Sequence, residues 1–130
     1  MKILVGFKAT EDNEPVLEKA MEHAKESGGT VYLLCVLIGS DEDKLDKDEP
    51  VKKNIADAQA YFKSNNIPYE TKLIFSRMFA GDSIVDYAKE IDADEIIIGV
   101  RKKSKVGKLL FGSTAQHVIL AAHCPVLAVK

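Results

Sequence analysis

Apolar positions follow two rhythms that alternate along the chain. Residues 3–7, 30–38, 96–98 and 126–129 are short apolar runs with no helical period, and residues 69–75 read as a further strand. Such runs predict strands buried on both faces, as in parallel sheets. Between them, apolar residues recur at three and four positions: Leu17, Ala20, Met21 and Ala24; Val51, Ile55, Ala58 and Phe62; Ile84, Tyr87, Ala88 and Ile91; Ala115, Val118, Ile119 and Ala122. Each set predicts one buried helix face. The punctuation agrees. Thr10, Asp12 and Asn13 offer capping oxygens ahead of the first helix, Pro15 suits its first turn, and Ser27-Gly28-Gly29 ends it. Asn65-Asn66 ends the second helix. The alternation β-α-β-α-β-α-β-α-β predicts a parallel sheet with right-handed crossovers and helices on both faces, a three-layer α/β/α arrangement.

Composition changes this picture little. A length of 130 residues, 46% of them apolar, suits one compact domain over residues 1–130, and no internal repeat is visible. A net charge of −2 argues against a general binder of nucleic acid or membrane surfaces. No stretch reaches the roughly 18 apolar residues of a membrane span, and a cleaved leader would remove the first strand. Cys35 and Cys124 are too few and too isolated for a disulfide framework or a metal motif, so the cytoplasm is the expected compartment. Charge is unevenly placed, however. Six carboxylates and two lysines crowd residues 39–50, which read as a solvated, mobile connection.

The opposite charge gathers after the fourth strand. There Gly99 is followed by Arg101, Lys102, Lys103, Lys105 and Lys108, with Gly107 among them, and then by Gly112-Ser113-Thr114 at a helix start. Strand, glycine, an irregular cationic loop, glycine, hydroxyl and helix N-terminus form an anion-binding design. Glycines let the backbone approach phosphate oxygens, and free N–H groups at the positive helix end point toward them.

The spacing from Gly99 through position 102 to Gly112-Ser113 matches G-x2-G-x9-G-[ST], except that Lys102 stands where the pattern has glycine. In this, in its first strand, and in Cys124-Pro125 before its last, the chain resembles the universal stress protein family along its whole length. The resemblance implies an adenine nucleotide alpha hydrolase-like fold with strand order 3-2-1-4-5. The order reverses between strands one and four, and ligands of open α/β sheets bind at such a reversal. It also implies that phosphates, ATP being the expected nucleotide and Mg²⁺ its companion, lie on Gly99, the backbone at Lys102, Gly112, Ser113 and Thr114. Val36 would face the adenine. Lys8 occupies the place of an aspartate that holds the nucleoside end, and an ammonium only donates where a carboxylate accepts. Lys102 either strains a positive-φ site or contacts phosphate through its side chain.

The resemblance further implies a homodimer through Val126–Val129 at a sheet edge, where unpaired backbone groups invite another strand and only Lys130 follows. The competing expectation is a nucleotide-free, non-enzymatic dimer that serves as a stress-linked interaction module, favoured by Lys8 and Lys102. Its protein partner is unknown. An enzyme, a slow ATPase at most, ranks third. His23, His117 and His123 have no nucleophile partner at a useful spacing and read as surface or cap residues, and Cys35 reads as core.

Overall fold

A computed structural model of the chain describes residues 1–77, 79–100, 102–103, 109–110 and 112–130, the side chains of 102–103 and 109–110 excepted. The elements run β1 (Lys2–Phe7), α1 (Glu14–Ser27), β2 (Thr30–Ile38), α2 (Glu42–Lys47), α3 (Glu49–Ser64), β3 (Tyr69–Ser76), α4 (Ala80–Ile91), β4 (Glu95–Gly99), β5 (Lys102–Lys103), β6 (Leu109–Leu110), α5 (Ser113–Ala121) and β7 (Val126–Val129). Five strands form one parallel sheet in the order β3-β2-β1-β4-β7, which is the expected 3-2-1-4-5.

Strand alternation divides the core. Ile3, Val5 and Phe7 of β1, with Val31, Leu33, Cys35 and Ile97, pack against α1 and α3. Leu4, Leu34, Ile96 and Ile98 face the other way, onto α4 and α5. Because both faces are covered, β1 is buried from Ile3 onward, which is why its sequence is apolar without alternation. Ile3, Leu4, Ile96, Ile97 and Phe62 are wholly buried, each contributing about 1.5–3 kcal/mol by transfer from water.

Several expectations are corrected. The acidic stretch is exposed, as expected of a solvated connection, but it contains an unexpected helix, α2, whose N-terminus is capped by Asp41 accepting from the Lys44 N–H at 2.8 Å. Asp48 then caps α3, accepting from the Val51 N–H at 3.2 Å. Acid here satisfies helix donors and complements helix dipoles. On α1 the buried apolar residue of the first turn is Val16, with Leu17 only half-buried. On α5, Ala115 and Val118 are buried but Ile119 is 44% exposed. The basic loop is not wholly irregular, since Lys102 pairs with Leu110 and Lys103 with Leu109 in an antiparallel ladder. Lys102 is therefore in extended backbone, which removes the strained option at that position. Arg101, Lys105, Gly107 and Lys108, and the Lys102 side chain, lie outside the described residues. At the end of α1, Gly28 takes φ 65°, a left-handed conformation that glycine adopts without penalty.

Candidate functional site

The β1–α1 connection is built around one buried polar side chain. Asn13 is 8% exposed and its amide clamps the loop. Its Oδ1 accepts from the Lys8 N–H at 3.0 Å, and its Nδ2 donates to the carbonyls of Lys8 at 2.6 Å and Glu11 at 2.9 Å. Asn13 thus stands at the cap position of α1 without capping it. Asp12 lends its Oδ1 to the Glu14 N–H instead, at 2.9 Å. From α3, Asn54 Nδ2 donates to the Ala9 carbonyl at 2.6 Å. With Ala9 buried, the backbone on either side of Lys8 is held while its side chain projects to solvent. Among the described residues Glu11 offers it a loose partner, with Oε2 3.8 Å from Nζ.

That held loop forms one wall of a cleft at the reversal of strand order. The cleft, about 70 Å³, is lined by Gly6, Phe7 and Lys8 of β1 and its end, Leu34 and Val36 of β2, Ile98 and Gly99 of β4, Ala80 and Ile84 of α4, and Thr114 and Ala115 of α5. Of the residues picked out from sequence, Lys8, Val36, Gly99 and Thr114 therefore meet in one place. Gly112 and Ser113 lie immediately before Thr114, at the α5 N-terminus. Gly6, Ala80 and Ile84 were not among the site residues expected from sequence. Gly6 alone carried a signal, as a glycine inside a strand, which marks close approach. A Cβ there would stand 3.1 Å from Ile98 Cγ2.

The N-terminus of α5 is distinct in composition. Gly112 at the cap position gives no side-chain bond, and no acidic residue lies in the first turn, whereas α1 to α4 each have one there. Gly112 has φ −67° and ψ 165°, and a Cβ on it would meet nothing within 4 Å. Among the described residues, neither backbone conformation nor packing requires glycine here. The first N–H groups of α5 are left without intrahelical acceptors, as at any helix start, beside a site with no negative side chain.

The α5 helix is tied to α4. His117 Nε2 lies 2.9 Å from Asp82 Oδ1, and its ring meets Phe79 edge-on at 5.3 Å. Gly81 makes room, since a Cβ there would come within 2.7 Å of the Phe79 ring and 2.9 Å of His117. His23 is also more than a surface residue: Nδ1 lies 2.6 Å from Glu95 Oε1, both groups mostly buried, at the N-terminal end of β4 and away from the cleft. Cys35 is buried, and that burial pushes its thiol up to about 11, so it stays protonated and is no nucleophile at neutral pH.

A larger groove, about 450 Å³, lies between the β1–α1 loop, α1 and α3, but Glu11, Asp12, Glu14, Glu18 and Asp57 line it. Five carboxylates repel phosphate, so size alone does not make it an anion site. Among the described residues no group of three or more His, Cys, Asp or Glu side chains is placed to hold a metal ion, and no helix is long and apolar enough to cross a membrane.

Comparison with known proteins agrees with this architecture. The model of the Universal stress protein family matches residues 1–130. A universal stress protein of Mycolicibacterium smegmatis is 29% identical over 128 residues, spanning 98% of this chain and 96% of its own. Among solved structures, a universal stress protein from Archaeoglobus fulgidus is 35% identical, with TM-score 0.81 over 99% of this chain and 97% of its own. Another structure of an A. fulgidus universal stress protein, in complex with dAMP, is 30% identical, with TM-score 0.77 over 99% of this chain and 96% of its own. The fold is the adenine nucleotide alpha hydrolase-like one expected from the sequence. On fold, matched length and shared sequence together, the chain belongs to the universal stress protein family.

Proposed function

We propose that this protein binds an adenine nucleotide, ATP being the form that the family resemblance implies, in the cleft between β1 and β4. The nucleotide acts as a regulatory ligand in a stress response rather than as a substrate. The observation that carries this reading is the α5 N-terminus: a helix start with no side-chain cap and no acid in its first turn, whose glycine no described neighbour requires. A phosphate brought against Gly112, Ser113 and Thr114 would receive backbone N–H groups, the two hydroxyls and the positive helix end. Gly99 lines the same cleft, the Lys102 backbone would add a further donor, and Val36 would supply an apolar face for the base. Mg²⁺ would arrive on the phosphates, held by them and by water. The dAMP complex of the A. fulgidus relative supports this choice of ligand.

Gly112→Asp tests the site. Aspartate is a good cap, so the variant should melt at an equal or slightly higher temperature, with roughly a few tenths of a kcal/mol of added stability. Its carboxylate would occupy the phosphate donors and repel the ligand, so ATP affinity measured by calorimetry should fall by about 100-fold or more. Unchanged affinity in a folded variant would remove the site from consideration.

A second reading is a nucleotide-free interaction module. The observation that favours it is the size of the cleft, about 70 Å³, well under the roughly 300–1,000 Å³ of ordinary ligand pockets. Native mass spectra with and without ATP and Mg²⁺ separate the two. A subunit that stays bare at high ATP supports the module, and one nucleotide per subunit supports the regulatory site. In both readings the protein acts in the cytoplasm as a homodimer joined along β7.

A further inference from the structure

Lys8 is the cation among the described residues that line the cleft, and no carboxylate is among them. Its position across the sheet follows from strand order. The sheet runs β2-β1-β4, and β1 pairs Phe7 with Cys35 on one side and Val5 with Ile97 on the other. Continuing those registers sets Lys8 beside Val36 and, across the sheet, past Gly99. Neighbouring strands are about 4.8 Å apart, so the apolar wall at Val36 and the glycine wall at Gly99 are separated by roughly 10 Å, with Lys8 between them. On the reading above, the base lies at the first wall and the 5′-phosphate at the second. Lys8 therefore falls where the sugar must lie.

The chemistry of that position is restrictive. An ammonium has three donors and no acceptor, so it cannot take hydrogen bonds from a ribose diol as a carboxylate would. Its complement is an acceptor with negative charge. The backbone around it is fixed by Asn13 and Asn54, so the side chain springs from a defined point. Its partner among the described residues, Glu11, is 3.8 Å away and half exposed, an ion pair weak enough to yield to a ligand. We infer that Lys8 makes this cleft selective for adenosine nucleotides that carry a second phosphate on the ribose, over those with a free diol. This inference rests on the nucleotide reading of the cleft and goes beyond it by naming the ligand class and the residue that chooses it.

The test is calorimetric titration of wild type, Lys8→Gln and Lys8→Arg with AMP and with adenosine 3′,5′-bisphosphate, at low and at physiological salt. The wild type should prefer the bisphosphate by about 5- to 10-fold, a charge-assisted bond discounted for exposure. Lys8→Gln should bring the ratio of the two affinities close to one, and Lys8→Arg should keep it well above one. The preference should shrink as salt rises. Circular dichroism of the variants checks that they fold, as an exposed side chain predicts. Equal affinities in the wild type, or a preference that survives Lys8→Gln, would overturn this inference and leave the nucleotide site standing. Failure of the wild type to bind either compound would remove the nucleotide reading and this inference with it.

Discussion

Two residues show how much a single side chain decides here. Asn13 looks like a helix cap in sequence and is instead a buried strut, because its amide satisfies both the N–H and the carbonyl of Lys8. Buried amides are placed where they can meet several partners, and a one-dimensional capping rule cannot see a loop folding back. Cys35 was legible, since a small apolar residue in a strand buried on both faces has nowhere to ionise. Its thiol, ordinarily near 9.0 and pushed up to about 11 by burial, has a consequence for stability. Between those values the unfolded chain loses the proton while the folded chain keeps it, so stability is complete below pH 9 and falls as pH rises toward 11. At about 1.4 kcal/mol per unit the loss is roughly 2–3 kcal/mol. Urea unfolding across this range should show a steeper decline for wild type than for Cys35→Ala, and identical slopes would contradict the burial argument.

At the scale of elements, the informative comparison is α2 with α3. Both begin on an aspartate that accepts from the third residue beyond it, at Asp41 and Asp48. Yet α2 buries no residue, while α3 buries Val51, Ala58 and Phe62. Short helices owe their stability to packing more than to propensity. Asp48→Ala should therefore lower global stability by about 1 kcal/mol in urea unfolding. Asp41→Ala should leave the global midpoint nearly unchanged and speed hydrogen exchange only in α2. The charge density that hid α2 in sequence is what makes it possible: carboxylates at a helix start meet the positive end of its dipole.

At the scale of the molecule, two features face outward. On β7, Val126 to Val129 are all half-buried and pair with β4 on one side. Beside it on α5, Leu120 is 85% exposed and Ile119 44%. An open parallel edge next to apolar side chains is suited to a two-fold copy. On the dimer proposal, light scattering should give twice the subunit mass for wild type and a lighter average for Leu120→Glu at micromolar concentration. Because Leu120 is exposed, the variant's fold should be intact. A wild-type monomer would sink the dimer, and a variant dimer as tight as wild type would remove α5 from the interface.

Sequence by itself determined the alternation of strands and helices, and the clustering of glycine, hydroxyl and helix start at residues 112–114. These are local properties, carried by β-branched runs, period and spacing. It also pointed to Lys8, Val36, Gly99 and Thr114, through family resemblance rather than through physics within the chain. Tertiary structure decided what no local pattern contains: that these four residues line one cleft, that no described neighbour requires glycine at 112, and that Ile119 faces outward although its period places it with Val118. The reason is the same in each case. Which face of an element is covered depends on what packs against it, and strand order, not strand sequence, sets Lys8 between the apolar wall and the helix start.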